Sequence, residues 1–261
     1  MIQDPATVPI LGAATILLVR DEPAFEVLMV KRHHQIDFAA GALVFPGGKT
    51  HGGDHDPAWE GQALGWETSA SDERAPRIAA VREAFEETGV LLCRHRDGSP
   101  FSGDGRAAAA RDEIATGRRA FLELTMELDL QIDLGALTAF ARWVTPAFMP
   151  RRFDTWFYIA LAPLDQLAAC DGWETVDAEW IGPAEALRLA DVGARKVIFP
   201  TRMNLKLLAE ASGAKDATER AKARPVITVE PRLIERPDGS RLVIPADAGY
   251  GEASELLSKA L

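Results

Sequence analysis

The chain has 261 residues, 47% hydrophobic and 26% charged, the make-up of a globular protein with one substantial core or one core plus an appendage. A formal net charge of −10 argues against general nucleic-acid binding, which rests on neutralising phosphates, but leaves room for a small phosphorylated ligand held by a local basic patch or by bridging cations. No apolar run reaches the roughly 18 residues of a membrane span. The start of the chain shows no basic segment before an apolar one, and two cysteines, Cys93 and Cys170, suit a reducing compartment, so a cytoplasmic location is expected.

Residues 8–19 and 25–31 read as two strands joined by a turn at Arg20-Asp21-Glu22-Pro23, and 39–45 lead into the glycine turn Phe45-Pro46-Gly47-Gly48-Lys49. The stretch 50–76, rich in Gly, Asp, Ser and Ala, has weak periodicity and reads as an inserted loop with one short helix near 59–64. Pro76 suits the first turn of a helix and Gly89 its C-terminal cap. A short buried strand is expected at 90–93, then helical pattern over 106–128 broken at Gly117. Strands at 137–144 and 154–162 follow, another ends at Trp180-Ile181, and helices are expected at 183–189 and 202–211. This order predicts an α+β fold, a mixed sheet sandwiched between helices. Residues 213–224 are polar and read as a linker. Beyond them, 226–229 and 241–244 suit a hairpin around Pro237-Asp238-Gly239-Ser240. The expected organisation is therefore one domain over 1–212, with an insertion at 55–75, then the linker and a packed C-terminal extension over 225–261.

Chemistry concentrates in Arg82-Glu83-Ala84-Phe85-Glu86-Glu87-Thr88-Gly89-Val90. At about 100° per residue, Ile78, Val81, Ala84, Phe85 and Thr88 fall on the sheet-facing side of a helix. Glu83, Glu86 and Glu87 fall within about a 100° arc on the other side, and Arg82 precedes Glu86 by four residues and can hold its carboxylate. Small Ala79 and Ala80 flank that arc and leave room for something to approach. A solvated acidic face is one reading. A site for a hard divalent cation, which takes oxygen ligands, is the other. Upstream, Gly47 and Gly48 permit positive φ and close approach of backbone to a ligand, although Pro-Gly-Gly is also an ordinary turn.

Taken together, Gly48-x5-Asp54 and Arg82 to Val90 resemble the Nudix box, Gly-x5-Glu-x7-Arg-Glu-U-x-Glu-Glu-x-Gly-U with U aliphatic. The second half matches throughout if Ala84 counts as aliphatic. The first half has Asp54 for Glu, and residues 55–81 form a far longer spacer than the pattern's. That long spacer is similar to the Nudix branch of the animal peroxisomal coenzyme A diphosphatase. So are Lys31-Arg32-His33-His34 leading to Gly41, Trp143-Val144-Thr145-Pro146, and Arg151-Arg152-Phe153-Asp154-Thr155. The further arginine usual in that branch between Arg32 and Gly41 is missing.

The resemblance implies a Nudix-type α/β/α sandwich and hydrolysis of a diphosphate with Mg2+ or Mn2+. Glu83, Glu86 and Glu87 would ligate the metal, with Arg82 orienting Glu86. The catalytic base would be one of these glutamates or Glu174, whose alternative is an exposed loop acid. Coenzyme A or an acyl-CoA would give a phosphopantetheine and adenosine 3′,5′-bisphosphate. Lys31, Arg32, Arg151 and Arg152 are candidates for the phosphates, beside Gly47 and Gly48. Trp59 and Trp66 either cover an acyl-pantetheine arm or pack the insertion onto its own domain. His51 and His55 are a weak metal pair, and His33 and His34 are expected at the surface. The expected partners are a small-molecule substrate and a second copy of the chain in a homodimer, with neither nucleic acid nor membrane. Competing readings are a Nudix hydrolase of ADP-ribose or a dinucleotide, and a non-catalytic Nudix-fold ligand sensor.

Overall fold

The protein is described here by a computed structural model covering residues 8–33, 41–170 and 175–260. In chain order, β1 (Ile10–Arg20) and β2 (Glu26–Arg32) lead to the short strands β3 (Leu43–Val44) and β4 (Gly47–Lys49). Two 3-10 turns and β5 (Ala63–Leu64) precede α1 (Ser71–Thr88) and β6 (Cys93–His95). Then come α2 (Gly105–Ala115), α3 (Phe121–Glu127), β7 (Leu130–Asp133), β8 (Thr138–Val144) and β9 (Arg152–Leu161). The chain continues through β10 (Thr175–Ile181), α4 (Pro183–Asp191), α5 (Phe199–Ala209) and α6 (Ala214–Ala223). It ends in β11 (Thr228–Val229), β12 (Arg232–Arg236), β13 (Gly239–Val243), β14 (Ser254–Leu256) and α7 (Leu257–Ala260).

The main sheet runs β10-β2-β1-β9-β8-β11, with β3 beside β2 and β4 beside β1. It is mixed, because β1 runs parallel to β9 and antiparallel to β2 and β4. Period-two alternation sends Ala14, Ile16 and Leu18 of β1 to the face covered by α1, and Leu17 and Val19 to the face covered by α4, α5 and α6. Two helical layers thus enclose one sheet, the α+β sandwich expected from the element order. A second small sheet, β5-β7-β6, and a third, β12-β13-β14, lie apart from it.

Several elements depart from the expectations, each for a local reason. Helix α1 starts at Ser71, so Pro76 lies inside it rather than in its first turn. Asp72 and Glu73 favour that earlier start, and Arg74 Nε donates to the Trp66 and Ser69 carbonyls, fastening the helix to the loop before it. Ala79 and Ala80 leave no open space beside the acidic arc; both are fully buried in the core. Val90, Leu91 and Leu92 are buried but not a strand, because the Gln166 amide satisfies both the N–H and the carbonyl of Leu91. Residues 213–224 are not a linker but carry α6, whose Ala214, Ala217 and Ala221 form one buried face. The tail hairpin is β12–β13, closing with Arg236 opposite Gly239, while Thr228 and Val229 pair with β8 instead.

Candidate active site

Helix α1 packs its apolar residues with the main sheet, α2 and α3, and its polar residues against β4 and the turn at Asp54, so its polar side has little solvent. Glu83 is 8% exposed, Glu87 3% and Arg82 3%, which rules out a solvated acidic face. A buried carboxylate needs partners. Arg82 supplies most of them. Its Nη1 donates to Glu83 Oε1 at 2.8 Å and to both Glu86 carboxylate oxygens at 3.1 Å. Its Nε and Nη2 grip Asp54 in a two-pronged pair at 2.9 and 3.0 Å, and Nη2 also reaches the Lys49 carbonyl at 2.8 Å. Burial by itself would lower the pKa of this guanidinium. The Asp54 hydrogen bonds and the Glu83 and Glu86 charges outweigh burial and hold it above the ordinary arginine value.

One arginine therefore joins the two halves of the split motif across the spacer. Asp54, 1% exposed, also accepts from the His51 N–H at 2.9 Å, and so fixes the turn that follows β4. A shorter side chain serves where the family pattern has Glu. Sequence reasoning missed this pair, taking Asp54 only as a departure from the pattern; its signal was the retained spacing from Gly48.

The glycine segment, expected as a turn, is instead strand β4 paired with β1, and it is pinned to α1 from a second direction, since the Gly47 N–H donates to Glu87 Oε2 at 2.9 Å. Neither Gly47 nor Gly48 takes positive φ, contrary to expectation. Crowding is the reason for glycine here. A Cβ on Gly48 would lie 2.5 Å from the Glu83 carboxylate, and one on Gly47 2.5 Å from the Ala14 carbonyl oxygen. Missing side chains let α1 press against β4 so that the Glu83 carboxylate passes the strand.

Beside this clasp opens a cavity of about 1090 Å³, lined by Arg82, Glu83 and Glu86 on one side and by Gly47, Gly48 and Lys49 below. Arg32, Arg151 and Arg152 line it too, as do Trp143 to Pro146 and Phe153. Arg32 Nε is buried without a hydrogen-bond partner among the described residues, a donor suited to a ligand oxygen. Arg151 is exposed at the wall. Arg152 is mostly engaged: its Nη2 donates to Glu230 Oε1 at 2.6 Å and its Nε to the Thr145 carbonyl. Glu174 lies outside the described residues, as does His34. His51 lines the cavity but its Nδ1 accepts the Gly53 N–H, so it caps a turn. Burial, then the Arg82 charge, holds its pKa below the ordinary histidine value.

Among the described residues no three His, Cys, Asp or Glu side chains form a group arranged to hold a metal ion. The donor set nevertheless suits one. Glu83 and Glu86 stand side by side at the cavity, tied by one guanidinium nitrogen, and a hard cation that completes its shell with water and phosphate needs few protein oxygens.

No residue between 55 and 81 lines the cavity. Trp59 is buried, its ring 5.7 Å from that of Phe121 and its Nε1 donating to the Gly53 carbonyl. The Arg74 guanidinium lies over Trp66 at 4.4 Å. The insertion is thus a packed layer turned away from the site. What sequence reasoning missed is the far wall, where α5 contributes Phe199 and the C-terminal extension contributes Pro231 and Leu242.

The NUDT19 Nudix domain family matches residues 62–198, a span that includes α1 but not the glycine turn. Human acyl-coenzyme A diphosphatase NUDT19 is 29% identical, over 91% of this chain and 76% of its own length. The Xenopus laevis protein of the same name is 26% identical over 67% of this chain, and a putative nudix hydrolase 7 of Caenorhabditis elegans 30% identical over 70%. This chain spans 57% and 55% of the length of those two relatives. Among solved structures, a NUDIX hydrolase from Alicyclobacillus acidocaldarius is similar at a TM-score of 0.70 and 27% identity, over 82% of this chain and 97% of that one.

Proposed function

The chain belongs to the NUDT19-type Nudix hydrolases, enzymes that hydrolyse diphosphates, and from that premise we propose that its substrate is coenzyme A or an acyl-CoA. The products would be a phosphopantetheine, acylated or free, and adenosine 3′,5′-bisphosphate. The observation that supports this most is the Arg82 clasp, which sets Glu83, Glu86 and the glycine turn at the mouth of one large cavity.

Glu83, Glu86 and Glu87 are the residues that would hold the divalent metal, Mg2+ or Mn2+; the first two line the cavity, whereas Glu87 is buried outside the lining and its Oε2 already accepts the Gly47 N–H. When bound, such an ion neutralises diphosphate charge and makes water a stronger nucleophile at neutral pH. The chain's own groups do the rest. Gly47 and Gly48, lacking side chains, let the Glu83 carboxylate pass β4, and both line the cavity where the diphosphate would lie. Arg32 Nε donates to a phosphate oxygen, and Arg151 adds positive charge at the cavity wall. Arg82 holds the Glu86 carboxylate in place through two hydrogen bonds, so that it can take the proton of the attacking water. Glu174 remains the outside candidate for that proton. A homodimer in solution is part of the proposal and is checked by light scattering.

Hydrolysis of CoA, acyl-CoAs, ADP-ribose and a dinucleotide tetraphosphate is measured side by side with Mg2+, with Mn2+ and after chelation. We expect CoA compounds to be preferred and chelation to abolish turnover. Preferential turnover of ADP-ribose would sink the substrate assignment, and binding without any hydrolysis would favour a sensor.

A further inference from the structure

The cavity is larger than a diphosphate needs, and its floor has a direction. Along the sheet, Lys49 pairs with Ala13, Ala13 with Thr155, Thr155 with Trp143, and Trp143 with Val229. Neighbouring strands lie about 4.8 Å apart, so Trp143 stands roughly 14 Å from the glycine turn across the floor. Between the two, Ala13, Thr15, Thr155 and Phe157 present uncharged side chains to the cavity. This uncharged strip of floor separates the clasp from β8, while Arg151 and Arg152 carry the charge at the cavity edge, Arg152 paired with Glu230.

The far end is closed by chain from outside the family-matched span. Pro231 and Leu242 line the cavity there, with Phe199 of α5 packed edge-on to Trp143 at 5.9 Å between ring centres. Two ties hold this wall in place. Arg152 grips Glu230, the residue before Pro231. Trp143 Nε1 donates to the Tyr250 hydroxyl at 3.1 Å, and that hydroxyl donates to Asn204 Oδ1 at 2.6 Å. The indole N–H is thereby satisfied from the extension, so the wall carries no unpaired indole donor, although Trp143 is itself buried against Phe199 and Tyr250.

We propose that the C-terminal extension is the acyl-selecting wall of this enzyme, with Leu242, Pro231, Trp143 and Phe199 receiving the distal acyl-pantetheine arm while the diphosphate lies at the clasp. The proposal rests on the acyl-CoA reading above and moves arm recognition away from the insertion, where Trp59 and Trp66 are occupied by packing. Leu242 sets how much room the chain end finds.

The test compares kcat/KM for dodecanoyl-CoA with kcat/KM for CoA in the parent, Leu242→Phe and Leu242→Val, folding being confirmed by circular dichroism and thermal melting. The ratio should fall about tenfold in Leu242→Phe and rise in Leu242→Val, the scale of one or two methylenes in an apolar pocket. If the bulkier variant does not fold, Leu242→Val alone decides. Ratios within twofold of the parent in folded variants overturn the proposal while the acyl-CoA reading stands. A parent inactive on every CoA compound overturns both, and the two failures are told apart by that parental assay.

Discussion

Two segments are added to the sandwich, and they behave in opposite ways. The insertion, residues 55–70, lies in the middle of the catalytic motif, yet it contributes nothing to the cavity and packs Trp59 against α3. The C-terminal extension begins more than a hundred residues after the motif, yet Pro231 and Leu242 help to close the cavity. Closeness in sequence to catalytic residues thus says little about which added segment meets the ligand. What decides it is the strand each segment joins: β5 pairs with β7 in a side sheet, whereas β11 extends the main sheet beside β8. The Arg82–Asp54 pair keeps the first arrangement intact by closing the motif over the insertion.

Mutations can break this contrast, beginning with the reference point both segments share. Glu86→Gln should reduce kcat at least about 100-fold with little change in melting temperature, since it removes a charge that the proposed metal site requires. Full activity would remove Glu86 from the site. Arg82→Ala leaves Asp54 and Glu83 buried without their counter-charge, so unfolding in urea should show a loss of about 3–5 kcal/mol along with lost turnover. Trp59→Ala should cost a similar ~3–5 kcal/mol by vacating a core position, while kcat/KM of the folded protein and its preference among acyl chains hold. A change of preference there would place the insertion at the substrate and erase the contrast.

On the other segment, Glu230→Gln cuts a half-exposed tie that contributes at most about 1 kcal/mol of stability. Its expected effect is a severalfold higher KM for long acyl-CoAs with kcat retained; equal changes for all substrates would count against a wall held by Arg152. The smallest effect concerns His51. Its folded pKa is depressed, so the unfolded chain binds more protons, and stability falls as pH drops through the unfolded value of about 6.5 and below. His51→Asn, which keeps a capping acceptor, should flatten that acid slope in thermal melts between roughly pH 7.5 and 5. An unchanged slope would assign it to other groups.

What lay within one element was legible. The Glu83, Glu86 and Glu87 arc, the Arg82 to Glu86 bond and the Gly89 cap, with φ of 74°, follow from helix spacing alone. So did the two long strands β1 and β2, whose alternation and breakers are local, whereas Gly47 to Lys49, read as a turn, is strand β4 paired with β1. The α6 face was harder to read, because a stripe of three alanines among charged residues gives almost no hydrophobic signal.

Sequence by itself singled out the candidate acidic cluster and determined that the chain would form a mixed sheet between helices, because residue type, helical period and strand alternation are properties of neighbours in the chain. The tertiary structure alone decided that Asp54 closes the motif, that the insertion turns away, and that residues 231 and 242 reach the cavity. Those outcomes depend on strand order, above all on β1 pairing parallel with β9 and β11 joining β8. Such pairing is fixed by packing between distant segments, and local periodicity carries no record of it.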